Sequence, residues 1–166
     1  MPRNLYLLRH AQAAETQQGQ QDYDRHLTSH GLREAAAIAK YLKKNNISIE
    51  LIISSSAIRA YTTAKTISEG LNLETDIIQS KEVYHGSLKT LLDVLNQQSD
   101  EYKSILLVGH NPYISYFAEF LTKENIGDLS TAGLVMIKFD IANWSDIAEG
   151  NGLFEAYIDN TLIDAQ

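Results

Sequence analysis

Cysteine is missing from all 166 residues, so neither a disulfide staple nor a thiolate metal site is available, and nothing speaks for an oxidising compartment. Long hydrophobic runs are missing as well. No stretch approaches the ~20 residues that span a bilayer, and the apolar segment after Met1-Pro2-Arg3-Asn4 is far shorter than a signal-peptide core. A soluble cytoplasmic protein is expected. Positive charge is scarce, with 14 basic residues against 21 acidic ones and a formal net charge of -7, and basic runs such as Lys40-Tyr41-Leu42-Lys43-Lys44 are short and helical. The average field repels a polyphosphate backbone, so neither nucleic acid nor a membrane surface is expected as a partner. Repeats, low-complexity tracts and internal linkers are absent too. The length suits one domain over residues 1–166 that buries roughly 70% of its unfolded surface.

What the chain does contain is apolar runs of strand length alternating with segments of helical period, the signature of βα units around a largely parallel sheet. A first strand over Leu5 to Leu8 is followed by a polar, Gln-rich loop from Gln12 to Asp24. Thr28 offers an N-cap to a helix reaching about Asn45, with Leu32, Ala35, Ala36, Ala39 and Leu42 on one face. A strand at about Glu50 to Ser54 precedes a helix from about Ala57 to Glu69 with Gly70 at its C-cap. Ile77 and Ile78 fit a short strand, and Ser87 caps a helix over Leu88 to Gln97. A strand at Ser104 to Val108 leads into a helix with Asn111 as cap and Pro112 at its first position. The alternating runs Gly133 to Phe139 and Leu153 to Ile158 predict an antiparallel pair at a sheet edge.

Three strand exits carry chemistry. Leu8-Arg9-His10-Ala11 puts an arginine and a histidine at the end of the first strand, and Gly109-His110-Asn111-Pro112 does the same for a second histidine a hundred residues later. The run Leu51 to Ser56 adds a third exit, with Arg59 in the helix behind it. In open α/β sheets ligands bind at the carboxyl ends of strands. Two imidazoles and two guanidiniums around one crevice suit a phosphoryl group, whose transfer needs an in-line nucleophile and cations on three oxygens. His10 is the candidate nucleophile, because Arg9 clamps a phosphate oxygen and disfavours the protonated imidazole. Arg59, near a helix start, supplies a planar fork for bidentate binding. His110 donates to a further oxygen, most usefully as imidazolium. By connectivity, Glu82 in Ser80-Lys81-Glu82-Val83-Tyr84-His85 is the carboxylate best placed as general acid.

Leu8-Arg9-His10, the Ser-x-x-x-Arg-Ala-x-x-Thr-Ala pattern of Ser55 to Ala64, and Gly109-His110-Asn111-Pro112 resemble the histidine phosphatase superfamily, within it the short branch of SixA-type phosphohistidine phosphatases. The similarity extends to Asp24-Arg25-His26-Leu27-Thr28-x-x-Gly31, to Val83-Tyr84, and to a Thr131-Ala132-Gly133 strand ending in Trp144. The resemblance implies a three-layer, phosphoglycerate mutase-like α/β fold with helices on both faces of the sheet. It further implies a phosphohistidine intermediate on His10, a phosphate pocket of Arg9, Arg59 and His110, and no metal or other cofactor. The implied substrate is phosphohistidine on a signalling protein, such as a histidine-containing phosphotransfer domain or a phosphocarrier. Ala11 departs from the Arg-His-Gly signature and requires a backbone conformation that tolerates a Cβ.

Plainer readings exist for several of these residues. Each histidine alone could be a satisfied core residue, and zinc on His10, His110 and Glu82 is opposed by the two arginines. Arg25 lines the pocket mouth or pairs with Asp22 or Asp24, the pairing being favoured. His26 and His30 flank a helix start as solvated residues, and His85 is a surface histidine or an alternative proton donor. Ser54, Ser55 and Ser56 lack a Gly-x-Ser-x-Gly elbow and read as caps of the following helix. The Gln12 to Asp24 loop is a docking rim or polar surface. Two rival functions remain: a small-molecule phosphomonoesterase of the same fold, which needs Glu82 because an alkoxide leaves poorly, and a non-catalytic phosphoprotein-binding module.

Overall fold

The computed structural model describes residues 2–164 and contains one six-stranded sheet. The strands are β1 (Pro2–Arg9), β2 (Leu51–Ser55), β3 (Ile77–Ser80), β4 (Ser104–Gly109), β5 (Leu134–Asp140) and β6 (Leu153–Ile158). Their order is β3-β2-β4-β1-β5-β6. The first four run parallel, whereas β5 pairs antiparallel with β1 and β6 antiparallel with β5, so the expected antiparallel edge is present. The helices are α1 (Ser29–Lys44), α2 (Ile58–Gly70), α3 (Lys81–His85), α4 (Leu88–Asn96), α5 (Tyr113–Thr122) and α6 (Asn160–Asp164). Among the described residues, no helix is long and apolar enough to cross a membrane.

Period-two alternation divides the core into two layers. Leu5 and Leu7 of β1, Leu51 and Ile53 of β2, and Ile105 and Leu107 of β4 pack with Leu91 and Leu95 of α4 and Phe117 and Leu121 of α5. Their neighbours Tyr6, Leu8, Ile52, Leu106 and Val108 face the opposite way, against Ile38 and Leu42 of α1 and Ala60, Ala64 and Ile67 of α2. Both faces of β1, β2 and β4 are therefore covered, which is why those strands read as continuous apolar runs, whereas the edge strand β3 leaves Ile78 and Gln79 exposed. Trp144 is fully buried, donates its indole N–H to Tyr102 O at 2.8 Å, and carries the Arg3 guanidinium over its ring. It lies in a 3-10 turn over Trp144–Asp146, beyond the end of β5.

Some local expectations are corrected. Leu32 and Ala36 point outward, and the buried stripe of α1 runs through Gly31, Glu34, Ala35, Ile38, Ala39 and Leu42. Glu34 takes an inward place because its carboxylate has partners there: it accepts from Gln12 N at 2.8 Å and from the Thr131 hydroxyl at 2.9 Å. Gly70 is the last residue of α2, with Leu71 as C-cap and Asn72 taking the left-handed conformation that ends the helix. Pro112 is the N-cap residue of α5 and not its first helical position, which is Tyr113. The Asn111 side chain donates to Leu129 O at 3.0 Å instead of capping the helix. The short helix α3 has no counterpart in the sequence reading.

Thr28 caps α1 as expected, accepting from Gly31 N at 2.9 Å. Gly31 has a second role, because a Cβ there would collide with the carbonyl of Gln12, the residue that follows the Arg9-His10-Ala11 exit. Gly31→Ala is therefore expected to push α1 away from this loop at a cost of about 1–3 kcal/mol. Thermal unfolding should record a lowered midpoint, by roughly 2–4 °C per kcal/mol; an unchanged midpoint would contradict the contact.

Candidate functional site

Parallel pairing sets Arg9 of β1 opposite Gly109 of β4, and His10 N donates to Gly109 O at 3.1 Å, just past the strand ends. The next residue of each strand is a histidine, so the two rings come together with centroids 5.1 Å apart. Arg59, on the first turn of α2, reaches between them: its Nε is 3.4 Å from His10 Nε2 and its Nη2 3.3 Å from His110 Nδ1. The structure thus brings His10, His110 and Arg59 to one crevice, and chain connectivity puts Arg9 beside His10. Arg9 Nη1 donates to Leu129 O at 2.9 Å, while its Nε is buried with no hydrogen-bond partner.

His10 is 8% exposed, and its Nδ1 lies 2.7 Å from Ala11 O. A carbonyl only accepts, so Nδ1 carries the proton and Nε2 keeps its lone pair toward Arg59. Burial holds the imidazole down to a pKa of about 4, with Arg59, Arg9 and Arg25 pulling the same way against the Ala11 bond. Ala11 is itself buried, is not among the residues with positive φ, and donates its N–H to Thr63 Oγ1 at 3.0 Å. Thr63 in turn donates to Arg59 O at 2.7 Å, which ties the His10-Ala11 backbone to the helix that carries Arg59.

His110 lies in a similar environment. Burial first, then His10 and Arg59, hold it down to a pKa of about 3, so it is neutral rather than an imidazolium at neutral pH. Arg59 Nη2 faces its Nδ1, and its Nε2 lies 2.7 Å from Ser55 Oγ. Ser55 Oγ also accepts from Ala57 N at 3.2 Å. The N-cap residue of α2 is Ala57, with no side-chain cap bond, so Ser55 anchors His110 instead of capping the helix as the sequence reading had it.

The expected acid is elsewhere. Glu82 is exposed, accepts from the Ser80 hydroxyl at 3.0 Å, and lines a separate depression with Ile53, Gln79 and Asp93. Its own backbone N–H and the Ser80 hydroxyl hold its carboxyl below the usual range, the opposite of what a proton donor needs. The correction follows from α3: its first turn points Glu82 back at its own N-cap. Among the described residues, no three His, Asp or Glu side chains converge as a metal would require, and the trio of His10, His110 and Glu82 is not brought together.

The carboxylate at the crevice is instead Asp22, which the sequence offered only as a partner for Arg25. The 3-10 turn Asp22–Asp24 lies against the start of α2, and Arg59 Nη1 donates to Asp22 O at 2.7 Å while Nη2 donates to the Asp22 carboxylate at 2.9 Å. Arg25 Nη1 and Tyr84 OH each donate to the same carboxylate at 3.0 Å. Partial burial opposes its ionisation, but the bonds from Arg25, Arg59 and Tyr84 outweigh it and pull the pKa to about 2. The favoured pairing of Arg25 with Asp22 is therefore found, and Arg25 also donates to Ala14 O at 2.8 Å, fastening the loop. His85, exposed, lines a cavity of about 380 Å³ with Asp22, Tyr84, His110 and Tyr113, whereas His26 and His30 stay in solvent.

Comparisons with known proteins show which family and fold the chain shares. The family model of the histidine phosphatase superfamily (branch 1) matches residues 5–103. The phosphohistidine phosphatase SixA of Escherichia coli K12 is 26% identical over 155 residues, covering 90% of this chain and 89% of its own. A solved structure of a SixA described as a putative phosphohistidine phosphatase, from Agrobacterium tumefaciens, superposes with a TM-score of 0.82 at 29% identity, covering 95% of this chain and 98% of its own. A protein histidine phosphatase SixA solved with tungstate has a TM-score of 0.81 at 24% identity, covering 94% and 96%.

The two depressed histidines bear on stability. The unfolded chain binds a proton at each near pH 6.5, whereas the folded chain resists until about 4 at His10 and about 3 at His110. This contribution is complete above pH 6.5 and is lost as pH falls through that window, at about 1.4 kcal/mol per pH unit for each ring. Urea midpoints should drop between pH 7 and pH 4.5, and the drop should shrink in His10→Gln and in His110→Gln. A slope that survives both substitutions would contradict the neutral, desolvated pair.

Proposed function

Because the chain belongs to the histidine phosphatase superfamily (branch 1), we propose that it is a metal-independent phosphohistidine phosphatase acting on a cytoplasmic signalling or phosphotransfer protein. The observation that carries this reading is convergence: the neutral His10 ring, the His110 ring with its centroid 5.1 Å away and the Arg59 guanidinium reaching both meet at one crevice, with the positive charge of Arg9 also acting on His10. The tungstate carried by the SixA structure is an oxyanion of the same shape as phosphate, which supports the same reading.

The chemistry starts from His10, neutral and fixed by its Nδ1–H bond to Ala11 O. Nε2 attacks phosphorus, the bond from phosphorus to the substrate's ring nitrogen breaks, and its electron pair returns to that nitrogen. A substrate ring protonated at its other nitrogen leaves as neutral imidazole, and the positive charge passes to the His10 ring. Water then attacks phosphorus, the His10 bond breaks, and dihydrogen phosphate departs with the water's two protons. Arg9 and Arg59 stabilise the equatorial oxygens, and His110, neutral in the free protein, takes up a proton when the anion arrives and donates to it. No step calls on Glu82.

His10→Ala is expected to lower turnover of a phosphohistidine protein by at least about 10⁴-fold, and Arg59→Lys by on the order of 10²-fold through loss of the planar fork. Glu82→Gln should stay within about threefold of wild type. Steady-state phosphate release measures all three, and phosphoramidate labelling of wild type should give an acid-labile phosphoenzyme that is absent in His10→Ala. A folded wild type that takes up no label would favour a binding module over an enzyme. Loss of activity in Glu82→Gln would favour a phosphomonoesterase that protonates an alkoxide.

A further inference from the structure

The side chain that occupies Arg59 is a carboxylate, and an anion site with a built-in anion calls for explanation. Asp22 is held at the crevice wall by Arg25 and Tyr84 as well as by Arg59, so it keeps two anchors if a phosphoryl group takes over part of the Arg59 fork. About half of its side-chain surface is exposed, and it faces the same cavity as His85, His110 and Tyr113. A fixed negative charge there repels a dianionic phosphoryl group. The repulsion falls in full on a phosphate ester whose leaving group is neutral. It is offset when the leaving group brings a positive charge of its own to that wall.

Resting on the phosphohistidine reading above, we propose that Asp22 is the specificity residue of this site, its carboxylate accepting the ring N–H of the substrate's protonated phosphohistidine. That contact favours the form in which the ring departs as neutral imidazole once its bond to phosphorus breaks. An alkoxide or phenoxide obtains nothing from it, since an ionised Asp22 has no proton to give. Asp22 holds its ionised state across the neutral range through Arg25, Arg59 and Tyr84, which suits an acceptor and not a general acid. The same bonds explain why the loop is folded onto α2 rather than left in solvent.

The test compares Asp22→Asn with wild type on phosphoimidazole, whose ring can carry the N–H, and on phenyl phosphate, which has none, with tungstate inhibition as a third readout and thermal unfolding as a check on folding. The ratio of kcat/KM for phosphoimidazole over phenyl phosphate should fall at least about tenfold, the loss of one charge-assisted hydrogen bond. Tungstate should bind as well as before or more tightly. Wild-type turnover of phosphoimidazole with an unchanged ratio in Asp22→Asn would overturn this inference alone, as would a matched loss of both activities and of tungstate binding, the mark of a loop anchor. Wild type that hydrolyses phenyl phosphate and not phosphoimidazole would overturn the phosphohistidine reading together with it.

Discussion

In the ladder between β1 and β4, Arg9 lies opposite Gly109, and the bond from His10 N to Gly109 O carries the pairing one residue beyond the strands. Both chains therefore leave the sheet in step. A slip of one residue would send one imidazole to the other face, because strand side chains alternate. The register is fixed by burial: Leu5 and Leu7 must face α4 and α5 while Tyr6 and Leu8 face α1 and α2. The geometry of the site is thus a by-product of how the core layers separate, and α2 then delivers Arg59 into the gap from the neighbouring strand β2.

Desolvation and positive charge act in the same direction on the histidines. Each would disfavour an imidazolium alone, and together they leave His10 and His110 uncharged beside guanidiniums that cannot lose their protons. An imidazole with a free lone pair at neutral pH follows from position alone. The negative charge in the neighbourhood comes from the Gln-rich loop, whose carboxylate at Asp22 balances Arg25 and Arg59 in the free protein. Crevice and loop are one electrostatic unit.

Much of this was legible in the residues. Strand exits at Arg9, Ser55 and Gly109 stood out because apolar runs end abruptly in polar, ring-bearing or cationic side chains, and the sheet brought those exits together. The helix caps at Thr28 and Ser87 were readable for the same local reason. Glu82 was misjudged because proximity along the chain says nothing about which way a side chain leaves a one-turn helix, and α3 was too short to show a period. Asp22 was readable only as a partner for Arg25, because its place at the crevice depends on contacts to residues 37 and 62 positions away, through a loop with no periodicity. The charge state of His110 depended on burial depth, which a sequence pattern does not encode.

The hydroxyl of Thr63 joins two segments that would otherwise be separate: it receives the N–H of Ala11 and donates to the backbone carbonyl of Arg59. His10 and Arg59 consequently share one mechanical frame, anchored in the buried face of α2 among Ala60, Ala64 and Ile67. Overfilling that layer, far from solvent, would be transmitted through the frame to the imidazole and the guanidinium together. Alanine at positions 60 and 64 is then a requirement of aim as much as of core volume.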